Sequence, residues 1–259
     1  MENSNEPVTD RDDWNTNWSA QARIAEVNPA QNYRHRLIVS KLGKEQISSC
    51  LDIGCGQGDL LAALAGRFSS VRLYGIEGSE IGAAIAKSKI PGAVIWSFDL
   101  ESESSSWPEA LQNLNVDAMI LSEVIEHLNE PDSVLKNLRK LLNPSGVLLV
   151  TVPAGPMTPF DRAIGHRTHF TSATLRELLE TSGYEVETVQ ASGFPFFNLY
   201  KLTVLIRGQR LSEDINNFNS GSAKLATAVM RMFGFLFRLN LRSGRLGWQL
   251  VAFARPARN

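Results

Sequence analysis

Between residues 50 and 153 short apolar runs alternate with amphipathic stretches, and this alternation restricts the fold more than any other feature of the chain. "CLDIG" (50–54), "VRLYGIE" (71–77), "GAVIWSF" (92–98), "VDAMILS" (116–122) and "GVLLVTVP" (146–153) have the length and apolar content of strands buried on both faces. Leu60, Leu61, Leu64 and Phe68 mark one intervening helix. Val134, Leu135, Leu138, Leu141 and Leu142 mark another, opened by "NEPD" and closed by "NPSG". "TSATLRELLETSGYEV" reads as a third, capped by Thr171 or Ser172 and stopped by Gly183 in a left-handed conformation. Strands that alternate with helices pair in parallel, so the expected class is α/β with a doubly wound, mainly parallel sheet.

The rest of the chain decorates that sheet. Residues 1–45, with "WNTNW" and a helix through "NPAQNYRHRLIVSKLG", read as an N-terminal extension or lid. Residues 46–198 form the core, 199–245 a basic helical insertion, and 246–259 the last strand and tail. "GWQLVAFAR", arriving after a long excursion, suits an antiparallel edge strand. The start, "MENSNEPVTDRDDW", is polar and acidic rather than basic and apolar, so the expectation is a cytoplasmic protein. Cys50 and Cys55 are too few for a thiolate metal cage and badly spaced for a disulfide, and read as packed thiols. A net charge of −1 conceals a polarity along the chain: from residue 199 onward ten Lys/Arg face two acids, and the rest is acidic.

"LDIGCGQGDLL" combines a strand, a turn with Gly54, Gly56 and Gly58, and a helix. Glycines there let a ligand lie against bare backbone at a helix N-terminus. A dinucleotide loop reads G-x-G-x-x-G and receives a pyrophosphate, whereas this one is D-x-G-x-G-x-G with Asp52 ahead of it. A carboxylate repels phosphate and attracts an ammonium group. Glu77, ending the second strand beside Gly78, is placed to accept two ribose hydroxyls, and Asp99, after the third, to accept from an adenine amine. An ammonium, a ribose and an adenine without phosphates describe S-adenosylmethionine.

On Asp52, Gly54, Gly56, Gly58, Glu77 and Asp99 with Leu100, the chain resembles the class I S-adenosylmethionine-dependent methyltransferases over about residues 45–195. The resemblance implies the Rossmann-like methyltransferase fold with a seven-stranded sheet, the loop on the methionine part, Glu77 and Gly78 on the ribose, Asp99 and Leu100 on the adenine, and Ser122 and Glu123 beside the sulfonium.

"EVIEH" (123–127) follows the fourth strand at the edge where ligands of such sheets collect. If it starts a helix, Glu123, Glu126 and His127 share one face. Three readings stand side by side. The acids merely complement the helix dipole, or His127 or a carboxylate serves as general base, or the group holds a divalent cation. The cation reading comes with a resemblance to the E-x-x-E-H of ubiquinone-pathway O-methyltransferases and of small-RNA 2′-O-methyltransferases. In it Glu123, Glu126, His127 and His169 are ligands for magnesium, manganese or zinc. "GHRTHFTS" supplies His166 and His169, and His169 is the preferred acceptor-side residue, while Asp161 and Arg162 read as a surface pair.

In "AKLATAVMRMFGFLFRLNLR" Leu225, Val229, Met232, Phe233 and Leu236 recur at helical spacing, with Lys224, Arg231, Arg238 and Arg242 between them. Packing on the domain or on a second subunit, an anionic membrane surface contacted through 223–242, and nucleic acid are its candidate partners. "GFPFFNLYKL" and the segment before it also resemble methyltransferases of glycan or lipid-linked metabolism. The expected activity is therefore S-adenosylmethionine-dependent methylation, at oxygen, of a small or carrier-linked acceptor of glycan or quinone type. A metal-dependent RNA methyltransferase is disfavoured by the acidic body, and a non-catalytic cofactor-binding module is the alternative from another class.

Overall fold

A computed structural model describes residues 28–207, 221–241 and 244–258. The segment around "WNTNW", most of the polar loop after residue 212, the side chains of Lys224 and Leu225, and Arg242 lie outside the described residues.

Helix α1 (Pro29–Leu42) opens on Asn28, whose side-chain oxygen accepts from Ala30 N at 3.0 Å and Gln31 N at 3.4 Å. Five strands then alternate with helices. They are β1 (Ser49–Ile53), α2 (Asp59–Arg67), β2 (Arg72–Glu77), α3 (Glu80–Lys89), β3 (Val94–Ser97), the short α4 (Glu109–Gln112), β4 (Val116–Ser122), α5 (Pro131–Arg139) and β5 (Leu142–Pro153). The chain continues through α6 (Pro159–Ala163), α7 (Ser172–Thr181), β6 (Tyr184–Ser192), α8 (Phe196–Arg207), α9 (Gly221–Leu236) and β7 (Gln249–Pro256). Thr171 caps α7 in a capping box with Thr174, and Gly183 follows its end at φ 88°.

The strands form one seven-stranded sheet in the order β3-β2-β1-β4-β5-β7-β6, parallel except for β7. Side chains alternate faces. In β4, Met119 and Leu121 meet Leu135 and Leu138 of α5 and Leu175 and Leu179 of α7, while Ala118 and Ile120 meet Leu60, Leu61 and Leu64 of α2. Burial on both faces is why these strands read as unbroken apolar runs. Truncating one such residue, Leu121→Ala for instance, removes about 2–5 kcal/mol of stability.

One expectation is corrected by the topology. The last strand is antiparallel but not at the edge, since β7 lies between β5 and β6. Residues from Leu250 to Ala254 are all buried and need neighbours on both sides. The edge on this side is β6, whose Tyr184 and Val186 face the core while Glu185 is exposed.

A smaller cluster joins the two ends of the chain. Tyr33 of α1 packs against Phe197 of α8 and against Phe237 just past α9, and its hydroxyl lies 2.6 Å from Ser192 Oγ. The crossovers diverge between β1 and β4, so the crevice at the strand carboxyl ends opens beside Ile53 and Ser122.

Candidate functional site

Beyond β1, Gly54, Gly56 and Gly58 hold φ values of 67°, 53° and 76°, a region that side chains disfavour. Space forbids substitution as well. A Cβ on Gly54 meets Val124 Cγ2 at 2.6 Å, and one on Gly58 meets Ile90 Cδ1 at 2.8 Å. Cys55 N donates to Ile76 O at 2.9 Å, which ties the loop to β2. Glu77 completes the tie: one carboxylate oxygen accepts from Gly56 N at 2.8 Å and the other from Ser79 N at 2.9 Å. Gly78, between these bonds, is exposed and has open space beside it.

Asp52 and Glu77 are 2% and 6% exposed, and burial together with the Glu77 charge pushes the Asp52 carboxyl well above the usual range. Two acids buried this closely favour a cation and oppose a phosphate. Cys50 and Cys55 are buried free thiols, pushed up first by burial and then by Asp52. On the third strand's loop, Asp99 is half-buried and accepts from Glu101 N at 3.0 Å, while Leu100 packs on the core. Glu101 is committed elsewhere. Its carboxylate accepts from Asn129 N, Asn129 Nδ2 and Glu130 N at 2.7, 2.9 and 2.9 Å, securing the loop below EVIEH.

EVIEH does not begin an α-helix. Residues Ile125–His127 form one 3-10 turn, and Glu123 stands outside it at φ 59°, the one non-glycine residue with positive φ among those described. The shared helix face therefore does not form. Glu123 instead turns toward β7: its Oε1 accepts from Gln249 Nε2 at 2.9 Å and lies 3.4 Å from Thr151 Oγ1, and its Oε2 is 3.6 Å from Arg34. Ser122 Oγ is 2.9 Å from the same Thr151 hydroxyl. Strain of this kind, held by several partners, is common at functional positions.

Glu126 is fully buried, and neither carboxylate oxygen has a hydrogen-bond partner among the described residues. Burial, then the Glu123 charge, pushes its carboxyl well above the usual range. Its main-chain oxygen accepts from Arg167 N at 2.8 Å, drawing in the loop that carries the histidines. His127 meets His166 edge to face, with ring centroids 4.8 Å apart. His166 Nδ1 is 3.0 Å from His169 Nε2, and His169 Nδ1 is 3.1 Å from Gly155 O. Burial and the neighbouring His127 push His166 down to about 3, so it is neutral at physiological pH.

Behind the histidines lies Asp161, which is no surface residue at 2% exposure. One oxygen accepts from Thr158 N and Oγ1 at 2.9 and 2.7 Å, and the other is 3.9 Å from each of His166, His169 and Lys201. Burial acts upward on this carboxyl, but the Thr158 bonds and Lys201 hold it below its ordinary value. Arg162 alone fits the surface reading, being exposed. Two groups of ligand-type atoms thus gather within 4.8 Å: Glu126, His127 and His166, and Asp161, His166 and His169. They share His166, and Glu123 belongs to neither.

Arg34, Lys201 and Gln249 were not legible as site residues. Each comes from an element remote in sequence, α1, α8 and β7, and nothing in the segments of Arg34 and Gln249 marks them. Lys201 Nζ lies 3.4 Å from Ala154 O, and burial lowers its pKa against the upward pull of Asp161, Glu123 and Glu126. A lysine inside an otherwise apolar helix, "FFNLYKLTVLIR", is the available signal.

Several known proteins are similar to this chain. A relative in Mycolicibacterium smegmatis, a probable S-adenosylmethionine-dependent methyltransferase, is 30% identical over 173 residues, covering 61% of each chain. A trans-aconitate 2-methyltransferase of Variovorax paradoxus is 25% identical over 150 residues, 58% of this chain and 54% of that one. The chain thus spans a little over half the length of these curated relatives. Among solved structures, a TehB-like SAM-dependent methyltransferase from Corynebacterium glutamicum superposes with a TM-score of 0.54 at 19% identity, covering 93% of this chain and 97% of that one. The cyclopropane synthase MmaA2 of Mycobacterium tuberculosis gives 0.58 at 19%, covering 88% and 84%. These two share the fold. The family model of a methyltransferase domain matches residues 28–189, more than half of the chain, and the protein belongs to that family.

Proposed function

We propose that the protein transfers a methyl group from S-adenosylmethionine to an oxygen of a small or carrier-linked acceptor of quinone or glycan type. The observation that carries this reading is the glycine loop clamped by Glu77 beside buried Asp52, a cradle with negative rather than positive potential. The loop and Asp52 hold the methionine end, Glu77 and Gly78 the ribose, Asp99 and Leu100 the adenine, and Ser122 and Glu123 flank the sulfonium. The acceptor enters over EVIEH and the histidine loop and attacks the methyl carbon in line, with the sulfur leaving as a neutral thioether. Holding both reactants at near-contact distance supplies about 7–11 kcal/mol. His127 or His169 takes the acceptor's proton, and Asp161 fixes His166 and His169 for that task.

The unsatisfied Glu126 carboxylate, beside three histidines, favours a second form of this reading. Glu126, His127 and His166, with His169 adjoining, suit a divalent cation as ligands, and Glu123, held by Gln249 and Thr151, stands apart from them. Such a cation, when bound, lowers the pKa of an acceptor hydroxyl. Arg34 and Lys201, next to these groups, also suit an anionic acceptor, in keeping with the trans-aconitate named for one relative.

The test is transfer of labelled methyl from the donor into pooled small-molecule and lipid extracts, with and without chelator. Labelled product supports the reading, and chelator sensitivity shared with loss in Glu126→Ala supports the cation. Cofactor binding without any transfer contradicts catalysis and favours a regulatory module.

A further inference from the structure

A cavity of about 1160 Å³ opens between α1, α2 and α9, and no residue of the glycine loop or of EVIEH lines it. Its walls carry Arg36, Arg67, Arg231 and Arg238. Asp59, the one acid among the lining residues, is engaged by Lys89 and by Gln31. Four arginines thus stand against one engaged acid in the lining, on a chain whose net charge is −1.

Helix α9 beside it is apolar on two sides. Met230 and Phe233 turn inward, Phe233 onto Tyr200 of α8. Met232 and Phe235, and Leu239 in the 3-10 turn that continues the helix, turn outward at spacings of three and four residues, 51%, 62% and 62% exposed, with Arg231 and Arg238 flanking them. The exposure is concentrated: eight of the eleven exposed large apolar residues among those described fall between Phe194 and Leu246. Scattered apolar residues need no explanation, but a helical stripe rimmed by arginine marks an interaction surface.

We propose that α9 and the arginine-lined cavity dock the protein on an anionic phospholipid surface, with Met232, Phe235 and Leu239 in the headgroup boundary and the arginines on lipid phosphates. The complementarity is twofold. Phosphate alone matches the cavity and leaves the stripe in water, whereas a bilayer covers both. A second copy of the chain is a poor match, because two-fold pairing sets the patch against itself and arginine against arginine. No helix among the described residues is long and apolar enough to cross a membrane, which fits a helix lying in the interface. Helix α8, which brings Lys201 to the site, also exposes Leu199 and Leu202. The inference does not depend on which acceptor is methylated.

Flotation of the full chain with vesicles of phosphatidylcholine alone, or with phosphatidylglycerol added, tests it. Binding is expected to the anionic vesicles at low salt, weakening as salt rises. Arg231→Gln with Arg238→Gln lowers the partition coefficient by roughly 25-fold, about fivefold per arginine. Met232→Ser with Phe235→Ser lowers it by about tenfold or more. These side chains point outward, and circular dichroism confirms that the variants fold. Absence of flotation at low salt overturns the proposal, as does binding unchanged in both double variants. Self-association abolished by the same substitutions, without vesicle binding, assigns the surface to a second copy and also overturns it. Adenosylhomocysteine binding, measured on the same samples, keeps this outcome separate from the fate of the methyltransferase reading.

Discussion

At the carboxyl ends of β1 and β2 the site is made of main chain: three glycines at positive φ, with Glu77 bonded to two backbone amides. At the ends of β4 and β5 it is made of side chains, with Glu123, Glu126, Asp161, three histidines, Arg34 and Lys201 converging from loops and helices far apart in sequence. The first half fixes a constant shape, which suits a ligand that never changes. The second is a set of adjustable charges, which under the proposed function select the acceptor and the chemistry. A backbone cradle tolerates almost no substitution, whereas a side-chain cluster can lose one member and still bind cofactor.

The largest break in that contrast is expected from Gly54→Val. A left-handed conformation costs a β-branched residue about 1–2 kcal/mol, and the overlap with Val124 adds about 1–3. Adenosylhomocysteine affinity should fall by on the order of 100-fold by calorimetry. Equal affinity in this variant breaks the distinction between the halves.

Asp161→Asn should leave that affinity unchanged while lowering transfer by roughly 10- to 100-fold, as for groups that orient catalytic histidines. The pH-rate profile should shift as well, because the histidines lose their carboxylate neighbour. An unshifted profile reduces Asp161 to a structural residue.

Glu126→Gln sharpens the question of charge. The folded carboxyl is raised, so its contribution to stability is full below the ordinary value of 4.5 and is lost as pH rises toward the folded value. The glutamine variant, which cannot ionise, should gain on wild type above pH 4.5 by up to about 1.4 kcal/mol per pH unit until the folded value is reached. Denaturant titrations across pH 4–8 in chelator read this. Stability lost on substitution, with divalent ion present, points to a ligand instead.

His166→Gln should act on the opposite limb and more weakly. The folded imidazole is depressed to about 3, so its contribution is present above 6.5 and lost as pH falls through that window. The variant should show a flatter acid limb between pH 6.5 and 3, with little change at pH 8.

The same contrast governs what the sequence made legible. The central strands and the glycine loop were readable because burial on two faces and positive φ each impose a residue type at fixed spacing. Strand β6 lacked that signature, since "YEVETVQAS" alternates like any half-exposed segment. The EVIEH helix failed for a local reason: three tertiary partners hold Glu123 in a conformation that no helix contains. Asp161 was underrated because "FDRA" gives no sign that Thr158, two histidines and a lysine surround its carboxylate. Contacts of long sequence separation leave no periodic trace.

The central claim is that the glycine loop and its buried acids hold a cationic nucleoside without phosphates, and calorimetry tests it most directly. Titration of the full chain with S-adenosylmethionine and adenosylhomocysteine should give saturable single-site isotherms, weakened in Glu77→Ala, while a nicotinamide dinucleotide gives no heat of binding. A saturable dinucleotide isotherm with no response to adenosylhomocysteine would contradict the account.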